Sequence, residues 1–139
     1  MKNKTSAVSL FVALGLLLLA ILACKSGSSA PSAPITVSAE DLFKAYHANE
    51  SDADTKYKGN TVIVTGTVGR ADSSAREVTF VAPDKTVLVY CLRFAPDQAA
   101  AISKLKVGQT ATVKGTCDGR AKLMGTTVDQ VSLKDSVVP

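Results

Sequence analysis

The sequence predicts a mainly β domain, a small five-stranded Greek-key barrel with one helix before the first strand and another between strands three and four. Three observations predict it. From Gly59 onward, apolar and polar residues alternate in short β-branched runs separated by Gly, Pro and Asp turns. A stretch at helical spacing, Pro96 to Leu105, interrupts these runs once, after the third. Gly66 and Gly115 fall inside runs, on the apolar parity, where closing a small barrel demands sharp coiling. That layout is an OB-fold. An open sandwich of similar strands is the alternative, and the interposed helix favours the barrel.

The chain has 139 residues, about one domain, and its 46% hydrophobic content excludes a wholly disordered or collagen-like protein. Much of the apolar excess lies at the start. Lys2 and Lys4 precede an apolar run from Ala7 to Ala23, broken only by Ser9 and ending on a small residue directly before Cys24. A charged start, a short apolar middle and a small-residue exit are the layout of an export signal over residues 1–23. An uncleaved membrane helix is the competing reading. It needs about 20 apolar residues, and this run is at the short end. Removing Lys2 and Lys4 with the leader takes the 16 basic side chains to 14, against 12 acidic. So even a balance is not the footprint of a dedicated nucleic-acid binder.

Ile21-Leu22-Ala23-Cys24 resembles the lipobox of bacterial lipoproteins, in which a peptidase cuts before the Cys and the thiol carries a diacylglycerol. The resemblance implies lipidation at Cys24 and a folded domain outside the cytoplasm, held to a membrane by its acyl chains. Each buried methylene contributes about 0.8 kcal/mol, so two or more chains anchor durably. In double-membraned bacteria an Asp after the Cys retains such proteins in the inner membrane, and Lys25 here points to the outer one. Residues 24–37 then read as a flexible tether, small and proline-containing, before a domain spanning 38–139.

Within that domain, Ser38 followed by Asp41 is a capping-box-like helix start, with Glu40 and Asp41 suiting the positive end of the helix dipole. Leu42, Ala45, Tyr46 and Asn49 continue at helical spacing to an end near Asn49 to Asp52, and Asp52 to Thr55 reads as a polar turn. Val62, Val64, Gly66 and Val68 mark the apolar face of the first strand, and Val78, Phe80 and Ala82 that of the second. Pro83-Asp84-Lys85 turns into a third strand, Thr86 to Phe94. After the Pro96 helix, Gln109 to Cys117 alternates again, Asp118-Gly119 turns the chain, and a last strand runs from Thr126 to Leu133.

The segments Ala45-Tyr46-His47-Ala48-Asn49-Glu50, Ala53 to Gly59 and Val62 to Val68 resemble the tRNA_anti-like family, bacterial lipoproteins with an OB-fold. Val89 to Phe94, Gly108 to Gly115 and Cys117 sit where that pattern has them, over nearly all of 38–137. Some members carry a further Cys where this chain has Ser136. The resemblance implies the fold and no established activity.

With Cys24 acylated, Cys91 and Cys117 remain as an even pair in an oxidising compartment, and a disulfide between them is the favoured state, contributing about 3 kcal/mol. Two buried free thiols are the alternative. No Cys-x-x-Cys spacing points to redox chemistry, and the single histidine, His47, lacks a recognisable nucleophile motif, so no enzyme is expected. Glu50, Asp52 and Asp54 open like a calcium loop. Thr55 then stands where Gly is needed and Thr61 where a bidentate Glu is needed, so neither a metal nor a cofactor is expected. The expected activity is binding by the barrel of a protein, a glycan or another envelope component. Tyr57 and Lys58 beside Tyr90 and Arg93 form the candidate patch. Single-stranded nucleic acid or oligosaccharide in the barrel groove is the alternative. Nucleic acid is disfavoured because Phe80, Tyr90 and Phe94 share parity with core residues and the address removes the usual substrates.

Overall fold

The computed structural model describes residues 32–123 and 126–139; the leader, Cys24 and the tether up to Pro31 lie outside the described residues. Strands β1 (Ile35–Ser38), β2 (Thr61–Asp72), β3 (Glu77–Val81), β4 (Val87–Cys91), β5 (Thr110–Leu123) and β6 (Thr126–Val137) are joined by helices α1 (Ala39–Ala48), α2 (Glu50–Tyr57) and α3 (Ala99–Ile102). No helix among the described residues is long and apolar enough to cross a membrane.

Five strands close a circuit. β2 pairs antiparallel with β3 and with β5, β3 pairs with β4, β4 runs parallel to β6, and β6 returns antiparallel to β5. This is the OB-fold barrel. Its interior is filled by alternate side chains of each strand: Val62, Val64 and Val68; Val78 and Phe80; Val89 and Cys91; Val113 and Cys117; Val131 and Leu133, all fully buried. Helix α1 adds Leu42 and Tyr46 to the same core, and α3 adds Ile102.

Several elements differ from the sequence expectation, each for a local reason. The last residues of the expected tether form β1, parallel to β2, with Ile35 opposite Val62 and Val37 opposite Val64. The five residues of β3 reach only Thr67 to Asp72 of β2, so the N-terminal half of β2 would otherwise be an open edge, and β1 covers it. Ser38 caps α1 as expected: its Oγ accepts from the Asp41 N–H at 3.0 Å and donates to Asp41 Oδ2 at 2.7 Å. The expected turn over Asp52 to Thr55 is instead helix α2. Asn49 ends α1 in extended conformation and caps α2, its side chain accepting from the N–H groups of Ser51 and Asp52. Only Ala53 and Tyr57 of α2 are buried, which leaves no apolar stripe to read.

The helix expected over Pro96 to Leu105 is a 3₁₀ turn, Pro96–Gln98, running into the short α3. Asp118-Gly119 does not turn the chain. β5 continues through it with a break in register between Cys117 and Gly119, where Gly119 takes φ +86°. In β4 the fully buried residues are Val89 and Cys91, and Tyr90 points outward. Leu88 is buried too, in a groove beside Phe43 of α1, so β4 begins apolar on both faces and its parity is masked.

The expected disulfide does not form: Cys91 and Cys117 are both free and buried. Each stands opposite Leu133, Cys91 on one side of β6 and Cys117 on the other. At about 4.8 Å per strand spacing, two spacings exceed the roughly 7 Å Cα separation a disulfide can bridge.

Candidate functional site

The outer face of the curved β2–β3–β4 sheet encloses a cleft of about 330 Å³. Thr79 of β3 and Tyr90 of β4, direct cross-strand partners, line it at the centre. Val81, Val87 and Lys85 close one side through the β3–β4 turn, Arg70 and Glu77 flank the other, and Val107 overhangs from the α3–β5 loop. Val107 is 68% exposed, the one large apolar side chain so uncovered among the described residues.

Local chain chemistry builds this shape. Register shifts between Val68 and Arg70, and Gly69 sits at that irregularity. A Cβ on Gly69 would collide with the Val81 side chain, so glycine there lets Val81 lie against the β2 backbone. In the β3–β4 turn, Lys85 takes φ +71° and its N–H donates to the Ala82 carbonyl at 2.9 Å, while Asp84 Oδ1 accepts from the Thr86 N–H. Strained backbone of this kind, carried by a long cationic side chain, costs of order 1–3 kcal/mol.

One of the cleft's charged side chains, Arg70, is held by an ion pair at its rim. Arg70 Nη2 donates to Asp72 Oδ2 at 2.7 Å. Asp72 Oδ1 also accepts from the N–H of Ala75 and from the N–H and hydroxyl of Ser74. These bonds, the Ala75 amide foremost, hold its carboxyl well below the usual carboxylate range. Asp72, and then Glu77, strengthen the Arg70 charge in turn.

Of the four residues of the expected patch, only Tyr90 lines this cleft. Tyr57 is 4% exposed, its ring centroid 6.5 Å from that of Tyr46. Lys58 is exposed and its ammonium donates to Asp54 Oδ2 at 2.9 Å. Arg93 follows β4 on an exposed, positive-φ backbone and does not line the cleft. The sequence reading set Lys85 near the groove but missed Arg70, Glu77 and Val107. The available signals were a Gly-Arg pair ending the alternation of β2 and a lone valine between Lys106 and Gly108.

Elsewhere, His47 is exposed and stacks on Phe43, ring centroids 5.9 Å apart. The Cys117 thiol lies 3.5 Å from the Tyr46 hydroxyl inside the core. Burial pushes both groups upward, so this thiol is no ready nucleophile. Among the described residues there is no group of three or more His, Cys, Asp or Glu that could hold a metal ion.

A family model described as tRNA_anti-like matches residues 2–137. A search of curated proteins finds no match. Among solved structures, the chain is similar to a Klebsiella pneumoniae lipoprotein described as a proposed nucleic acid-binding protein, with 17% identity and a TM-score of 0.53, covering 76% of this chain and 92% of that one. A Leishmania major protein described as a proposed aspartyl-tRNA synthetase aligns with 12% identity and a TM-score of 0.46, over 94% of this chain and 26% of that one.

Proposed function

Because this chain belongs to the tRNA_anti-like family of OB-fold proteins, we propose that it is a non-enzymatic binding module, lipid-anchored through Cys24 in the bacterial envelope, whose ligand seats on Tyr90 in the β2–β3–β4 cleft. The observation that carries this is the cleft itself. It is concave, walled by valines, centred on one partly buried aromatic ring, and flanked by a few polar groups, which is how ligand sites are built. Its volume falls at the low end of the usual range, about 300–1,000 Å³. The anchor reading rests on the leader and on the Cys24 motif.

A second reading, single-stranded nucleic acid in the same cleft, is supported by the description of the Klebsiella relative. Two experiments test the proposal. Mass spectrometry of the protein from its native membrane is expected to find an N-terminus at Cys24 bearing diacylglycerol; an intact Met1 without lipid would overturn the anchor. A photo-cross-linking residue at position 90 is expected to capture an envelope component that the same residue at position 51, exposed on α2 and away from the cleft, does not. Equal capture from both positions would overturn the cleft.

A further inference from the structure

The chemistry around Tyr90 discriminates between the ligand classes that an OB-fold groove could take. A phosphate oxygen only accepts hydrogen bonds, and nucleic-acid affinity comes chiefly from cations that neutralise several phosphates. This cleft offers little of that. Arg70 is already bonded to Asp72 at 2.7 Å, and Glu77 stands in the cleft as a second acceptor-only carboxylate. Lys85 is the second cation of the lining, and the charge of the two cations is balanced by Glu77 in the cleft and by Asp72 just outside it. One ring, Tyr90, lines the cleft, where single-strand sites use aromatic rings for successive bases.

A sugar hydroxyl both donates and accepts. Such a group can donate to Glu77 while accepting from Arg70 or Lys85, and the apolar face of a pyranose ring can lie on Tyr90 between Val81 and Val107. From this juxtaposition, and resting on the proposed cleft, we infer that the ligand is an uncharged oligosaccharide, bound as a short segment of one or two rings.

The test uses the mature lipidated protein in detergent, titrated by calorimetry and by NMR with a panel of uncharged hexasaccharides, including cellohexaose and chitohexaose, and with a fifteen-nucleotide single-stranded DNA. At least one hexasaccharide is expected to bind, with affinity changing less than twofold between 50 and 500 mM NaCl. Tyr90→Ala should weaken that binding at least tenfold, and Glu77→Gln at least threefold. Gly69→Ala, which drives Val81 outward, supplies a second variant that narrows the cleft from its floor. The glycan assignment is overturned if none of the saccharides binds, or if the DNA binds more tightly with strong salt dependence. If DNA binds and Tyr90→Ala abolishes it, the cleft survives and only the ligand class fails. If a saccharide binds and neither Tyr90→Ala nor Gly69→Ala alters it, the cleft itself is wrong.

Discussion

Ser136 of β6 buries a hydroxyl that no partner meets. It is 1% exposed, its Oγ has no hydrogen-bond partner, and a Cβ on the facing Gly115 would approach that oxygen to 3.0 Å. A buried hydroxyl that has given up water and gained no partner costs free energy, so an alanine of similar shape removes the penalty. Ser136→Ala is therefore expected to raise stability by about 1 kcal/mol. In urea titration the midpoint should move up with an unchanged slope. A lower midpoint would mean that the hydroxyl has a partner in solution, such as a trapped water. Gly115→Ala should move the midpoint the other way, because its new methyl meets Ser136 Oγ and the Lys134 carbonyl at 3.0 and 3.1 Å.

At the level of elements, two attachments tie helices and the N-terminal strand to the barrel. The first is Arg120 on β5. Its Nη2 donates to the Tyr46 carbonyl near the end of α1 at 3.0 Å, its Nη1 pairs with Asp129 of β6 at 2.7 Å, and its Nε lies 3.2 Å from Glu50 of α2, near enough for ion pairing though misaligned for a hydrogen bond. The guanidinium side chain is only 18% exposed, while both carboxylates are at least half exposed, so solvent screening discounts the ion pairs and the carbonyl bond matters most. Arg120→Ala is expected to cost about 2 kcal/mol and to speed amide exchange at the α1–α2 junction before the rest of the barrel. The second is β1. Removing residues 32–37 strips two half-buried side chains, Ile35 and Val37, from the core and bares the β2 edge at Val62 to Thr65. The expected loss is about 2–3 kcal/mol, with self-association visible by light scattering; a truncated protein that stays monomeric with an unchanged midpoint would show the strand to be dispensable. These same elements mark the boundary of what the sequence made legible. The barrel strands and the Ser38 cap were readable because β-branched alternation and a side-chain cap are local signals. β1 was not, since four residues among small and prolyl neighbours gain their order only from an edge that β3 leaves open. Nor was α2, whose start depends on Asn49 acting for two helices at once. The cleft was legible at Tyr90 alone, because Arg70, Glu77 and Val107 come together only through the curvature of the sheet.

Over the whole molecule, the interior treats sulfur as a hydrophobe. Cys91 and Cys117 are fully buried on either side of Leu133, too far apart to join, so these strands are held by packing and the closed hydrogen-bonded circuit with no covalent bridge between them. Two measurable consequences follow from that arrangement. Alkylation without reductant should leave both thiols unmodified in the native protein and modify both in denaturant; recovering neither under denaturing conditions would restore the disulfide. The thiols also set an alkaline limit. Desolvation raises both above the ordinary value of 9.0, so the folded state keeps these protons after the unfolded chain has begun to lose them. Above pH 9 the unfolded state thus binds fewer protons than the native one, and stability falls as pH rises. Their contribution is complete below pH 9 and is spent progressively above it, with Tyr46 adding to the decline beyond its ordinary 10.0. Urea midpoints measured from pH 7 to 11 are expected to be flat up to about 9 and then to drop. Cys91→Ala should start lower, for the cavity it leaves, and fall less steeply. A wild-type midpoint as high at pH 11 as at pH 7 would mean that the thiols ionise as readily in the native barrel as in the open chain.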